Sequence, residues 1–209
     1  MRRGTLIYLE GIDNSGKSCA QDRLQELFKK KKVPSLFTCE PTQERRAKID
    51  QQMSLAKKDG KKGIDLQKLF IEDRRLHQSE RIIPALNAGK IVICDRGMFS
   101  TFAYGYKEDH DSLQPLIELH KDLALSCFVI WFRVKPEIAL ARFNKSVKEP
   151  TRWDDLSNLR KLNNAYKVAF RESLRNFPEC YLLELNANGS KDEVFNNLLE
   201  ILKQQGILN

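Results

Sequence analysis

Residues 11–18 read Gly-Ile-Asp-Asn-Ser-Gly-Lys-Ser, a glycine, four residues, then Gly-Lys-Ser. This phosphate-binding pattern constrains the chain because it works only between a strand and a helix. Thr5-Leu6-Ile7-Tyr8-Leu9 before it is apolar and strand-like, and from Ser18 through Gln21, Leu24 and Leu27 to Phe28 the spacing is helical. Gly11 and Gly16 let the backbone turn tightly enough for successive N–H groups to face a phosphate chain. The helix starting near Lys17 points its positive end at the same place. Lys17 then reaches the outer phosphates, and the Ser18 hydroxyl ligates Mg²⁺. An accidental glycine-rich turn would not place strand, loop, lysine, hydroxyl and helix in this order. Nucleotide binding is expected, with Gly11, Asp13, Asn14, Ser15, Gly16, Lys17, Ser18 and Cys19 around the phosphates.

The same alternation continues along the chain. Ser35–Cys39 reads as a second strand ending at Glu40-Pro41, followed by a charged helical segment from Glu44 to about Ala56. Asp65 can cap a long helix carrying Leu66, Leu69, Phe70 and Leu76, with Pro84 breaking or kinking it and Gly89 ending it. Lys90–Cys94 is a third strand, nearly continuous in apolar character as a buried parallel strand is. Helices are expected around Ser100–Tyr106 and from Ser112 to about Leu125, then a strand at Cys127–Val134. Pro136 opens another helix. Residues 144–153 show little apolar periodicity but carry Lys145, Lys148 and Arg152, the pattern of a short lid. A helix at Leu156–Arg175, a strand at Tyr181–Leu185 and a helix at Lys191–Gln205 complete the chain. Strands alternating with helices predict an α/β fold, a five-stranded parallel sheet covered by helices on both faces, with the ligand crevice beyond the strands' carboxyl ends.

At 209 residues the chain suits a single domain over residues 1–209. Its net charge of +8, from 36 basic and 28 acidic residues, suits acidic ligands without choosing among them. Lys29–Lys32 and the lysines from Lys57 to Lys62 lack interleaved aromatics and read as solvated surface, so no nucleic-acid partner is expected. The five cysteines have no metal spacing and read as reduced thiols of a cytoplasmic protein. No apolar run is long enough to span a membrane.

The polar residues after successive strands converge on one crevice. Glu40-Pro41 and the nearby Arg45 and Arg46 follow the second strand, and Asp95-Arg96 follow the third. Asp95 can hold Mg²⁺ or its water, the Walker B role, and Arg96 can grip an acceptor phosphate through its planar fork. An isolated Asp-Arg pair would more simply be a surface ion pair, worth under ~1 kcal/mol. In this setting the functional reading is preferred. Phe70 and Arg74 lie on one face of the long helix, where a ring could stack on a base and a guanidinium bond its edge or phosphate. A core phenylalanine beside a solvated arginine fits the periodicity equally well.

Glu10–Ser18, Leu69-Phe70-Ile71-Glu72-Asp73-Arg74, the run from Asp95-Arg96 to Ala103-Tyr104, and Lys135-Pro136-Glu137 together resemble thymidylate kinase, from Leu6 to the final helix. The resemblance implies a P-loop nucleoside monophosphate kinase fold and a homodimer. It also implies transfer of the γ-phosphoryl group of ATP, with Mg²⁺, to deoxythymidine monophosphate (dTMP), giving the diphosphate. By the same resemblance Phe70 stacks on the acceptor base, Arg74 hydrogen-bonds it and Arg96 holds its phosphate. Thr101 and Tyr104 line the base and sugar, and Asp13 lies near the acceptor sugar and metal. Tyr166 matches a tyrosine that helps exclude a ribose 2′-hydroxyl, and the loop at Asn186-Ala187-Asn188 flanks the adenine.

Family members carry a catalytic arginine in the P-loop or in the lid. Here Asn14 occupies the P-loop place, so the duty falls to Arg152, with Lys148 and Arg142 as helpers. These cations, with Lys17, act by neutralising charge and excluding water. Two positions depart from the pattern: Gly97 stands where a tyrosine is usual, and Cys39 where an arginine gripping the acceptor phosphate is usual. Arg45 or Arg46 could substitute for the latter. The alternatives are a deoxynucleoside kinase with Glu40 as base on a sugar hydroxyl, or a nucleotide-binding regulator without turnover. A GTPase ranks lowest, because no Asn-Lys-x-Asp motif is evident.

Overall fold

The apolar runs become strands β1 (Thr5–Glu10), β2 (Ser35–Cys39), β3 (Ile91–Asp95), β4 (Cys127–Arg133) and β5 (Cys180–Asn186) in the computed structural model, which describes residues 4–61, 63–145 and 155–208. All pair in parallel, in the order β2-β3-β1-β4-β5. Leu6, Ile7, Tyr8 and Leu9 are all buried, as are Val92–Cys94 and Val129–Phe132. Uninterrupted burial on alternate faces requires cover on both. Helices α1 (Lys17–Lys30) and α9 (Lys191–Gln204) cover one face, and α5 (Met98–Glu108) and α8 (Leu156–Ser173) the other. Phe170 of α8 packs on Phe99 of α5 and Trp131 of β4 at centroid distances of 5.1 and 5.2 Å. Each fully buried ring of this kind contributes about 1.5–3 kcal/mol.

Helix α2 (Gln43–Lys58) buries only Ile49, whereas α3 (Ile64–His77) buries Leu66, Ile71 and several polar residues. Asp65 does not cap α3; Gly63 is its N-cap, and Asp65 sits in the first turn bonded to Lys68 at 3.2 Å. Pro84 neither breaks nor ends the helical run. A π turn at Gln78–Ile82 directly precedes α4 (Ile83–Asn87), which carries the proline in its first turn within one continuous helical run.

Helix α6 (Leu113–Glu118) stops well short of Leu125. The reason is His120, whose Nδ1–H donates to the Leu116 carbonyl at 2.7 Å and takes the acceptor a continuing helix would use. Its backbone N–H turns instead to Ile117, at 3.1 Å. Helix α7 (Pro136–Asn144) begins at its proline, as expected. Residues 146–154, with Lys148, Arg152 and Trp153, lie outside the described residues, and with them most of the expected lid.

The crossover leaving β1 leads to β2 on one side, while the one leaving β3 leads past β1 to β4 on the other. The carboxyl ends of β1 and β3 therefore open onto the crevice between diverging connections. All five cysteines are free thiols. Among the described residues no helix is long and apolar enough to cross a membrane.

Candidate active site

Gly11 has φ +141°, and a Cβ there would come 2.9 Å from the Phe132 carbonyl oxygen, so only glycine fits where the loop passes β4. The loop then wraps Lys17, whose ammonium donates to the carbonyls of Gly11 and Ile12 at 2.9 and 3.0 Å and to Ser15 Oγ at 3.3 Å. Burial, and then the nearby Arg96 charge, lower the Lys17 pKa. Ser18 donates to Asp95 Oδ2 at 3.0 Å. Asp95 Oδ1 is buried and has no hydrogen-bond partner among the described residues. A bare carboxylate oxygen beside a hydroxyl is the donor set of a hard divalent cation.

Asp13 through Cys19, with Asp95, Arg96 and Arg142, line a cavity of about 1130 Å³. Arg142 of α7 clamps this side, donating to the carbonyls of Ser15 (3.1 Å), Ala187 (2.8 Å) and Gly189 (2.7 Å). Ala187 is fully buried and outside the cavity lining, its carbonyl taken by Arg142, and Gly189 lines the cavity.

A second cavity of about 520 Å³ is lined by Phe70, Arg74, Arg96, Thr101 and Tyr104, with a stripe of α2 facing them. Arg74 is 2 % exposed and almost fully engaged. Its Nε donates to Glu40 Oε2 at 2.7 Å, Nη2 to Thr101 Oγ1 at 3.1 Å and Nη1 to His120 Nε2 at 2.6 Å. Because His120 Nδ1 carries the proton given to Leu116, Nε2 is the free acceptor. Burial and the Arg74 charge push the His120 pKa down to about 3, which keeps the ring neutral. Glu40 Oε1 meets His77 Nδ1 at 3.2 Å. Glu40, His77 and Cys94 bring ligating atoms within 4.8 Å of one another, but Arg74 already supplies the cation there. Glu40 is thereby committed to structure, which weakens its reading as a base on a sugar hydroxyl.

Arg96 joins the two cavities and lines both. Its backbone is left-handed (φ 73°), a conformation that costs free energy and persists only where surroundings enforce it. Nη2 pairs with Asp13 Oδ1, while Nη1 reaches the Gly11 carbonyl, Ser100 Oγ and Tyr166 Oη at 3.3–3.4 Å. Tyr104 Oη donates to Asp13 Oδ2 at 3.0 Å. Burial pushes the Asp13 carboxyl up, but the Arg96 and Lys17 charges outweigh it, so it titrates below the usual range.

Tyr166 is fully buried and absent from both linings, against Arg96 Nη1. Its hydroxyl donates to Glu10 Oε2 at 3.1 Å, and Glu10 also accepts the Ser100 N–H (3.1 Å) and hydroxyl (2.5 Å). Burial raises the Glu10 pKa, with the Ser100 bonds and Arg96 opposing. Sequence reasoning missed Glu10 and His120. Glu10 did carry a signal, a carboxylate closing an otherwise apolar strand. His110, the remaining histidine, is exposed and stacks on Tyr106 at 4.4 Å.

Comparison with known proteins agrees with this geometry. Residues 9–206 match the family model described as Thymidylate kinase. The chain is 33 % identical over 211 residues to a "Probable thymidylate kinase" of Thermococcus onnurineus (strain NA1), covering 95 % of this chain and 97 % of that one. It is 28 % identical over 205 residues to a "Thymidylate kinase" of Leptospira interrogans (serovar copenhageni), covering 96 % and 94 %. With a "Thymidylate kinase" of Clostridium novyi (strain NT) the identity is 27 % over 211 residues, covering 97 % and 100 %.

Proposed function

The chain belongs to the thymidylate kinase family and is an ATP-dependent kinase of dTMP, and from that premise we propose that its two substrates meet at Arg96. The observation that carries this reading is that, among the described residues, Arg96 alone of the P-loop's partners lines both cavities while an aspartate of the loop holds it. The larger cavity takes the ATP phosphates and the smaller takes the acceptor. Phe70 stacks on the thymine, Arg74 bonds the base edge, Thr101 and Tyr104 line base and sugar, and Asp13 fixes Arg96 against the acceptor phosphate. Lys17 exchanges its bonds to the Gly11 and Ile12 carbonyls for phosphate oxygens. Ser18 and Asp95 would hold Mg²⁺, which when bound neutralises charge on the phosphates. Arg152 supplies the lid cation in this reading. The acceptor phosphate is already ionised near neutral pH, so no general base is needed. Positioning and preorganised positive charge perform the catalysis. Tyr166 supports Arg96 from behind. The reading also includes one kinase domain over residues 1–209, a homodimer, a cytoplasmic setting and no nucleic-acid partner.

The experiment is a coupled ADP-release assay with Mg-ATP against deoxythymidine, dTMP and the other common nucleoside monophosphates. Selective turnover of dTMP is expected. Turnover of deoxythymidine alone would make Glu40 a base and overturn the reading, and ATP binding without turnover on the whole panel would replace it with a nucleotide-binding regulator.

A further inference from the structure

Among the described residues, those common to the two cavities are Glu40, Arg46 and Arg96. Glu40 is spent on Arg74 and His77. A phosphate lying where the cavities meet therefore faces two guanidinium groups, Arg96 from the end of β3 and Arg46 from α2. Arg46 begins the stripe of α2 that faces the acceptor cavity, continued by Asp50, Met53, Ser54 and Lys57 at helical spacing. Its Nη2 reaches back to the end of β2, 3.3 Å from the Pro41 carbonyl oxygen and 3.9 Å from Cys39 Sγ. Both are weak holders. Burial keeps the Cys39 thiol above its ordinary pKa against the pull of Arg46, so the sulfur is uncharged at neutral pH. Arg45, one residue earlier, turns the other way to Asp73 (3.5 Å) and Glu80 (3.2 Å). A guanidinium held, among the described residues, only by a carbonyl and a thiol gives up little when it swings onto a dianionic phosphate, where its fork makes charge-assisted bonds.

We infer that Arg46 is the second ligand of the acceptor's phosphomonoester group and that Arg45 takes no part. This rests on reading the smaller cavity as the acceptor site. Arg46 thereby discriminates a monophosphate from the bare nucleoside, from a helix instead of from the strand end where Cys39 stands.

The test combines steady-state kinetics with calorimetric titration of dTMP and of deoxythymidine. Arg46→Ala is expected to raise the acceptor KM and the dTMP Kd by about tenfold or more. The ATP KM and the deoxythymidine Kd should stay unchanged. Arg45→Ala, which loses its two ion pairs to Asp73 and Glu80 outside the cavities, should stay within about twofold of wild type. Cys39→Arg in the Arg46→Ala background should recover tight dTMP binding, because a guanidinium at residue 39 reaches the same spot. A folded Arg46→Ala that binds dTMP like wild type overturns the inference, as does one that weakens deoxythymidine equally. Wild type that turns over dTMP while Arg46→Ala is unaffected removes this inference alone. Wild type that neither binds nor phosphorylates dTMP removes the acceptor reading, and this inference with it.

Discussion

The ring of Tyr8 occupies the space of a side chain at residue 97: a Cβ on Gly97 would lie 2.5 Å from Tyr8 Cδ1 and 2.8 Å from Cε1. Tyr8 is 3 % exposed in the middle of β1, so its ring cannot swing away. Gly97 is extended (φ −163°), so the constraint is steric and not conformational. Gly97→Ala should therefore cost about 1–3 kcal/mol by overpacking. In a Tyr8→Ala background the same substitution should be close to neutral. Urea unfolding of the four proteins in this cycle measures the coupling, and additive effects would show that the two side chains do not compete for one space.

Arg74 and Glu40 form an ion pair at 2.7 Å with both side chains under 5 % exposed. Removing the guanidinium strands a buried carboxylate, so Arg74→Ala should lose about 3–5 kcal/mol of stability besides weakening the acceptor. Arg74→Lys keeps a charge for Glu40 but cannot also reach His120 and Thr101. It should recover most of the stability and little of the acceptor KM. An Arg74→Ala protein that melts like wild type would mean that Glu40 is not held as described.

The P-loop and all five strands were legible because both signals are local: a motif fixed by spacing, and apolar runs whose length matches a buried strand. The linkages behind the site were not. Arg74, Glu40 and His120 are 34 and 46 residues apart along the chain, and periodicity left Arg74 equally readable as solvated. Helix α6 was over-extended because Leu116 and Leu123 keep helical spacing, while a histidine between them spends its side chain on the helix's own carbonyl. Resemblance gave Tyr166 a sugar-facing role but no hint that Glu10 and Arg96 both bond its hydroxyl. Gly97 read as a departure from the family, and its reason sits on another strand, in Tyr8.

Two carboxylates, one just before the P-loop and one within it, should respond to pH with opposite sign. Burial raises Glu10 above its ordinary 4.5, so the folded state binds the proton more tightly than the unfolded chain does. Its contribution is fully present below 4.5 and is lost as pH rises through the folded value. Asp13 is depressed below its ordinary 3.8, so its contribution is present above 3.8 and is lost as pH falls through the folded value. The stability of wild type relative to Glu10→Gln should thus decline as pH rises from 4.5. Relative to Asp13→Asn it should stay level there and decline only on acidification below 3.8. Urea midpoints across this range decide the matter, and two differences moving in the same direction would contradict the assignment.

His120 makes the fold sensitive to acid. Its ring is neutral in the fold, with Nδ1–H on Leu116 and Nε2 accepting from Arg74, and a second proton would have to displace the Arg74 bond inside a buried cationic environment. The folded pKa of about 3 against an ordinary 6.5 means that the unfolded chain binds the proton first. Its stabilisation is therefore intact above pH 6.5 and falls as pH drops toward 3. Between pH 6.5 and 5 the loss should reach about 1.6 kcal/mol, the slope nearing 1.36 kcal/mol per pH unit at the acid end. His120→Asn should be less stable at neutral pH, since Arg74 loses an acceptor, but its unfolding free energy should change less over the same interval. Because Arg74 also faces the acceptor, the variant should raise the acceptor KM while leaving that of ATP alone. Parallel pH profiles for wild type and His120→Asn would show that the imidazole is not the titrating group and would separate the acid sensitivity of the fold from this network.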